Sequence, residues 1–322
     1  MMKLLEVSGL AKHYTSTLGL FKKRAVVKAV DGVGFSVGVN NVFALVGESG
    51  CGKSTVARMI VRLTEPDAGK VVFKGVDIFS LRAEALTAYR RSVQIIFQDP
   101  FASLNPRMSI FATLSEPLHI HRIVPKSQYR EKVADLLHTV GLTPDVMNRY
   151  PHEFSGGQRQ RICIARALTL SPELVVADEP LSSLDVSIQA QILNLLLELK
   201  QRIGLSYLFI SHDLHVVQYF SDDTGVMYLG RIVEQGATEE VFTRPLHPYT
   251  QALIDSVPKI NPKDGFHRDN VIAEGVSSSG CTFYQRCPRR FEPCSSISPT
   301  LEPQQGRLVA CHLYTLEERW KK

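Results

Sequence analysis

Apolar residues along this chain gather in short blocks, and four of those blocks share one design. Asn41 to Val46 (NVFALV), Val93 to Phe97 (VQIIF), Leu174 to Ala177 (LVVA) and Tyr207 to Ile210 (YLFI) are brief runs with little polar alternation. Such runs predict strands buried on both faces, the habit of a parallel sheet covered by helices. Helical periodicity fills the intervals. Val56 to Leu63 and Arg159 to Leu168 read as helices, and between Gln128 and Val140 the residues Val133, Leu136, Leu137 and Val140 fall on one face. Strands alternating with helices in this way predict an α/β fold.

Two stretches depart from the alternation. From Asn105 to Tyr150 the strand pattern gives way to amphipathic helix, which predicts a helical subdomain over about 105–165. After Arg244 the texture changes again: 8 of the 17 prolines lie from Pro245 onward and long periodic segments are few, so a separate, loop-rich module is expected over 245–322 and the main domain over 1–244. A chain of 322 residues is long enough for one large core and a smaller companion. No window approaches the ~18 to 20 apolar residues of a membrane-spanning helix, and the opening MMKLLEVSGLAKHY lacks the apolar region of a signal peptide. A cytoplasmic chain is expected. With 44% hydrophobic and 21% charged residues the composition is that of an ordinary globule; the net charge of +5 favours an anionic ligand or membrane surface without calling for nucleic acid.

Each predicted strand ends where polar chemistry begins. Val46 runs into Gly47-Glu48-Ser49-Gly50-Cys51-Gly52-Lys53-Ser54-Thr55, which fits G-x-x-x-x-G-K-[ST]. Its glycines let backbone N–H groups close around phosphate oxygens, Lys53 adds a point charge, and the Ser54 hydroxyl is a Mg²⁺ ligand. The helix that follows offers its N-terminus to negative charge. Ala177 leads into Asp178-Glu179-Pro180, Ile210 into Ser211-His212-Asp213, and Phe97 into Gln98. In open parallel sheets ligands lie outside the carboxyl ends of the strands, so these groups are expected to face the phosphate loop. Asp178 is the expected holder of Mg²⁺, with Gln98 a further candidate, while Glu179 is placed to orient and deprotonate an attacking water. Singly, Asp178 and Glu179 could cap a helix, His212 could be a packed loop histidine and Gln98 a solvated side chain. Four coincident strand ends argue for chemistry.

Phe154-Ser155-Gly156-Gly157-Gln158 opens the Arg159 helix, and a Ser-Gly-Gly loop at a helix N-terminus is a second anion site. One protein rarely needs two cradles for one phosphate unless they come from different copies. SGGQ shortly before Asp178-Glu179-Pro180, together with the phosphate loop, Gln98 and His212, resembles the nucleotide-binding subunits of ABC transporters over essentially the whole chain. The resemblance implies a P-loop ABC ATPase with a mixed sheet core, a helical subdomain and a small Pro/Cys-rich tail. It implies ATP sandwiched between the Lys53 loop of one subunit and the Ser155–Gln158 loop of its partner, with Ser155 and Gly157 on the γ-phosphate. Asp185, in Leu181-Ser182-Ser183-Leu184-Asp185, would cross the interface, His212 would support the γ-phosphate and water, and Tyr14 would stack on adenine. Phe154 and Ser183 stand where the family more often has Leu and Ala, and neither removes a catalytic group. Phe101, Leu104 and Ile110 become candidates to grip a coupling helix of the membrane subunit, though a plain hydrophobic core accounts for them equally well.

Arg244-Pro245-Leu246-His247-Pro248-Tyr249-Thr250 followed by Leu253, and then Gly280-Cys281, Arg286-Cys287-Pro288, Cys294 and Ala310-Cys311-His312, resemble the tail of oligopeptide and dipeptide importer ATPases. The spacing is C-x5-C-x6-C-x16-C. Zinc sites favour closer pairs, whereas four thiolates at looser spacing with a Cys-Pro step suit a [4Fe–4S] cube; zinc and unliganded thiols stay open as alternatives. The resemblance further implies a second ABC ATPase subunit, two integral membrane permease subunits and an extracytoplasmic solute-binding protein, with this chain peripheral on the cytoplasmic face of the inner membrane. Ser103-Leu104-Asn105-Pro106-Arg107 resembles the second partner of the paired ATPases in that subfamily, which implies a heterodimer, and no nucleic-acid partner is expected. The rival class is a soluble ABC ATPase of DNA repair or translation, which would carry a long coiled coil or a second cassette; neither pattern occurs here.

Overall fold

The computed structural model describes residues 2–16, 25–256 and 280–315. Its strands, numbered along the described chain, are β1 (Lys3–Ser16), β2 (Ala25–Gly38), β3 (Val42–Val46), β4 (Ala68–Phe73), β5 (Val76–Asp77), β6 (Val93–Ile96), β7 (Leu174–Asp178), β8 (Ser206–Ser211), β9 (Asp223–Tyr228), β10 (Arg231–Ala237), β11 (Glu302–Gln304) and β12 (Arg307–Val309). The larger of two sheets has the order β11-β12-β10-β9-β3-β8-β7-β6. It is parallel from β9 to β6 and antiparallel from β9 outward to β11.

The four runs singled out above are the neighbours β3, β8, β7 and β6. Every residue of β3, β7 and β8 is buried, which explains the missing alternation. Along β3, Val42, Ala44 and Val46 face a core shared with the helices Gly156–Leu168, Val186–Ile203 and Leu214–Phe220. Phe43 and Leu45 face a second core, filled by Val56, Ala57, Met59 and Ile60 of the helix Lys53–Ile60 and by the smaller sheet. That sheet, β2-β1-β4-β5, is antiparallel and meets the larger one through Phe35 stacked on Phe43 at 4.6 Å. The hydrophobic pattern did not reveal it. The β1–β2 pairing shifts register at four places, and each irregularity reverses which side chains point inward.

Within 105–165 lie the helices Ile110–Ile120 and Tyr129–Thr139, with Val133, Leu136, Leu137 and Val140 all buried as their spacing required. The Gly156–Leu168 helix starts earlier than its apolar pattern. Ser155 caps it, accepting from Gln158 N–H at 3.4 Å while Gln158 Oε1 accepts from Ser155 N–H at 3.1 Å, a reciprocal capping box. Of the three candidate grip residues, Leu104 and Ile110 belong to the core, at 3% and 0% exposure, and only Phe101 is open to solvent.

The loop-rich tail is joined to the main sheet rather than standing apart from it. β12 pairs with β10, Glu234 opposite Val309, and the Arg307 guanidinium lies 3.3 Å from the Glu234 carboxylate with both side chains essentially sealed from water. Glu234 also accepts the N–H groups of Leu246 and His247, each at 2.9 Å. One carboxylate thus ties down both β12 and the start of the helix Pro248–Asp255. Positions 257–279 and 316–322 of the expected 245–322 module lie outside the described residues.

Candidate active site

Register brings the chemistry together. Val46 pairs with Ser211, Ile210 with Asp178, and Ala177 with Ile96, so the four carboxyl ends lie abreast. From β3 the chain turns into the Gly47–Thr55 loop, whose shape demands glycine at two points. Gly47 has φ 150°, and a Cβ there would sit 2.1 Å from the Met227 carbonyl; Gly52 has φ 111°, and its Cβ would meet the Ala29 carbonyl at 2.0 Å. Lys53 begins the helix, is 4% exposed, and donates from Nζ to the carbonyls of Gly47 at 2.7 Å and Glu48 at 2.9 Å. Gly50, at φ 79°, and the exposed Ser49 form the loop's outer turn, and Thr55 N–H bonds to the Gly52 carbonyl. Cys51 is buried beneath it, its thiol pushed above the ordinary value by desolvation and only partly eased by Lys53.

Ser54 Oγ donates to Asp178 Oδ1 at 3.0 Å. Burial pushes the Asp178 carboxyl above its ordinary pKa, the Ser54 hydrogen bond opposes this, and the Glu179 carboxylate adds to it. A buried carboxylate beside a hydroxyl is a donor set that a hard divalent cation fits. Ser54, Gln98 and Asp178 line one open cleft with Arg58 and Arg166 on its walls. Neither arginine was signalled by the motifs.

Glu179 collects the remaining strand-end groups. Its Oε2 accepts from Gln98 Nε2 at 3.0 Å and lies 3.1 Å from His212 Nδ1. The residue has φ 49°, a left-handed backbone uncommon for a non-glycine residue, held by Glu179 N–H bonding to the Ile210 carbonyl at 2.9 Å. Strain of this kind clusters at functional positions. His212 is largely solvent-accessible while Glu179 is mostly enclosed, so the carboxylate lies within and the imidazole at the rim.

The Ser155–Gln158 loop keeps other company. A Cβ on Gly157 would strike Ile188 Cγ2 at 2.5 Å, and one on Gly156 would touch Leu184, so the loop packs on the segment that carries Asp185. Asp185 caps the Val186–Ile203 helix, accepting from Ile188 N–H and Ser187 Oγ, and the Ser187 bond foremost holds its carboxyl below the ordinary value. Gln158 uses its side chain on the Ser155 cap. Tyr14 stands on β1, 41% exposed, with Lys12 Nζ 5.9 Å from its ring centroid. The fold therefore gathers Ser54 with Asp178 and Gln98 with Glu179 and His212, while Tyr14, Asp185 and the Ser155–Gln158 loop present separate surfaces. One set of contacts had no signal in the sequence. Glu48, inside the phosphate loop, is held by Tyr249 and Arg286 from the tail.

In the tail Cys281, Cys287, Cys294 and Cys311 line one small cavity with His247, Phe283 and His312. Burial raises the thiols of Cys281, Cys287 and Cys311, the last to about 12, and the neighbouring sulfurs raise them further. Three receive a backbone N–H from two residues ahead: Cys281 from Phe283, Cys287 from Arg289, Cys311 from Leu313. Bonds of that kind tune the sulfurs of thiolate clusters. Among the described residues no three His, Cys, Asp or Glu side chains converge closely enough to hold a single metal ion. Cys163, in a helix, is packed in the core with its thiol pushed up to about 11 by burial.

A phosphate loop leading from a central parallel strand, with carboxylates at the end of a strand two places away, defines a P-loop nucleotide-hydrolysing cassette. Comparison with known proteins narrows the class. Residues 30–182 match the ABC transporter family and residues 233–294 the oligopeptide/dipeptide transporter C-terminal region. The chain is 46% identical over 319 residues to the dipeptide transport ATP-binding protein DppF of Escherichia coli (strain K12), covering 98% of this chain and 96% of that one. It is 48% identical over 321 residues to the oligopeptide transport ATP-binding protein AppF of Bacillus subtilis (strain 168), covering 97% and 98%. A dimeric ATP-binding cassette solved in a post-hydrolysis state with ADP and phosphate superposes with a TM-score of 0.64 at 25% identity, over 73% of this chain and 98% of that one. The chain belongs to the ABC transporter ATP-binding proteins and carries the C-terminal region of their oligopeptide/dipeptide branch. It is an ATPase, using ATP and Mg²⁺, that powers a membrane transporter. Among the described residues no helix is long and apolar enough to cross a membrane.

Proposed function

We propose that this chain drives the import of peptides or related small solutes, acting as one half of a nucleotide sandwich. The observation that carries the reading is the convergence of Gln98 and His212 on Glu179, beside the Ser54–Asp178 pair, at the ends of adjacent parallel strands. Lys53 and the loop amides from Gly47 to Thr55, Ser49 and Cys51 included, hold the β- and γ-phosphates. Ser54, Asp178 and Gln98 hold Mg²⁺, which when bound offsets the charge that develops on the phosphate oxygens. Glu179 accepts the proton of the attacking water, and His212 and Gln98 fix the carboxylate's orientation. Ser155, Gly156 and Gly157, with Asp185, complete the site of the partner ATPase subunit, for which a dimeric relative with ADP and phosphate is the structural precedent. Tyr14 stacks on the adenine.

The substrate class rests on the named relatives, which are dipeptide and oligopeptide transport proteins. From it follow a second, different ABC ATPase subunit, two integral membrane permeases, an extracytoplasmic solute-binding protein, and a peripheral place on the cytoplasmic face of the inner membrane. In the tail, Cys281, Cys287, Cys294 and Cys311 hold a [4Fe–4S] cluster that staples a module with little core of its own. What supports this is four sulfurs on one cavity and the repeated N–H contacts to them. Affinity purification of the full chain from detergent-solubilised membranes tests the transport reading: recovery of a second ATPase and two integral membrane chains is expected, and recovery of none overturns it. Anaerobic purification tests the cluster, which requires iron and acid-labile sulfide in the product; colourless, iron-free protein excludes it.

A further inference from the structure

The phosphate loop is gripped from outside by the tail. Glu48, its second residue, donates its backbone N–H to the Tyr249 hydroxyl at 3.0 Å. Its carboxylate accepts two parallel bonds from Arg286, Nη1 to Oε2 at 2.9 Å and Nη2 to Oε1 at 2.8 Å, across 238 positions of sequence. Fork-to-fork pairing is the strongest and most directional form of this contact. The guanidinium is itself fixed, lying 5.7 Å from the ring centroids of both Tyr228 and Phe283, and those rings pack with Tyr249 into one aromatic cluster. Arg286 directly precedes Cys287, on the short turn Tyr284–Arg286.

Two consequences follow for the loop. An unopposed carboxylate next to Gly47 would repel an incoming phosphate, and Arg286 neutralises it and turns it aside. The Gly47 and Glu48 carbonyls are also the acceptors for Lys53 Nζ, so whatever fixes the Glu48 backbone fixes where the ammonium points. From these contacts we infer that Arg286 and Tyr249 are positioning residues for nucleotide binding, through which the cysteine-bearing tail braces the charge and curvature of the phosphate loop. The inference rests on the reading of that loop as the ATP site.

Equilibrium binding of ATP to the purified full chain separates the two. Arg286→Ala is expected to raise Kd about 5- to 10-fold, the equivalent of roughly 1 to 1.4 kcal/mol for a partly exposed bidentate pair. Adding Glu48→Gln to that variant should recover most of the loss, because the stranded carboxylate is gone, and Arg286→Lys should fall between wild type and Arg286→Ala. Wild-type affinity in Arg286→Ala, or a defect that Glu48→Gln leaves undiminished, overturns the brace. Absence of ATP binding in the unaltered chain would instead overturn the assignment of the loop.

Discussion

The parallel end of the main sheet and the cysteine-bearing tail hold polar side chains in opposite ways. At the sheet, β3, β7 and β8 are buried along their whole length, and each polar group is delivered by the register of a strand that cannot slip without exposing its apolar face. Glu179 tolerates a left-handed backbone because that scaffold over-determines it. In the tail the apolar cluster around Leu246, Val309 and Cys311 is small. Position there comes from the packing of Tyr249 and Phe283 on Tyr228 together with two discrete polar ties, Glu234 with Arg307 and Glu48 with Arg286. A core holds residues through many weak contacts, whereas a polar tie concentrates the effect in one bond. The two regions should therefore break differently.

The largest effect belongs to the sheet. Glu179→Gln keeps the shape of the group that meets Gln98 and His212 but removes the base, so ATP should still bind while single-turnover phosphate release slows by about 10²- to 10⁴-fold. Unchanged release would remove Glu179 from the chemistry. Next comes the tail's principal tie. Arg307→Leu leaves Glu234 charged in a sealed site, for which about 3–5 kcal/mol of stability is the usual cost; the lower end is expected, since the Leu246 and His247 N–H groups still reach that carboxylate. Denaturant unfolding measures it, and a loss below about 1 kcal/mol would mean that the tail is anchored elsewhere.

Acid should loosen the tail before the sheet. His247 is buried, and desolvation lowers its pKa from 6.5 to about 3 while its Nδ1 accepts the Tyr249 N–H. Between those values the unfolded chain binds more protons than the folded one, so the contribution is complete above pH 6.5 and is lost as pH falls toward 3. By pH 5 about 2 kcal/mol should be gone. Hydrogen exchange across 246–256 reports it, and His247→Asn should flatten the pH dependence; equal protection at pH 7 and pH 5 in the unaltered chain would contradict the assignment. The smallest stability effect is expected at Phe101, which is exposed beneath the Arg159 guanidinium at 3.6 Å. Phe101→Ser should change stability by no more than about 0.5 kcal/mol while weakening co-purification with the permeases, and undiminished recovery would remove this residue from the docking surface.

What could be read in advance follows the same division. Four short apolar runs, each ending in a polar signature, were legible because strands buried on both faces leave an uninterrupted imprint. The antiparallel sheet was not, because the bulges between Lys3 and His13 scramble its alternation. The Ser155–Gln158 cap was written as S-x-x-Q, yet the apolar period alone began that helix too late. The Glu48–Arg286 and Glu234–Arg307 ties had no local signal, since each joins residues far apart in sequence whose identities acquire meaning only once the tail folds onto the sheet. The cysteines were conspicuous by spacing, whereas their convergence on one cavity depends on β12 pairing with β10.

The central claim is that the nucleotide at Lys53 is split only when a second chain supplies the Ser155–Gln158 loop. Sedimentation and ATP turnover measured together over a dilution series test it most directly. Turnover should track the dimeric fraction, formed with a second copy or with the partner ATPase, and vanish with it. Full turnover per chain in a sample that sediments entirely as monomer would contradict the account.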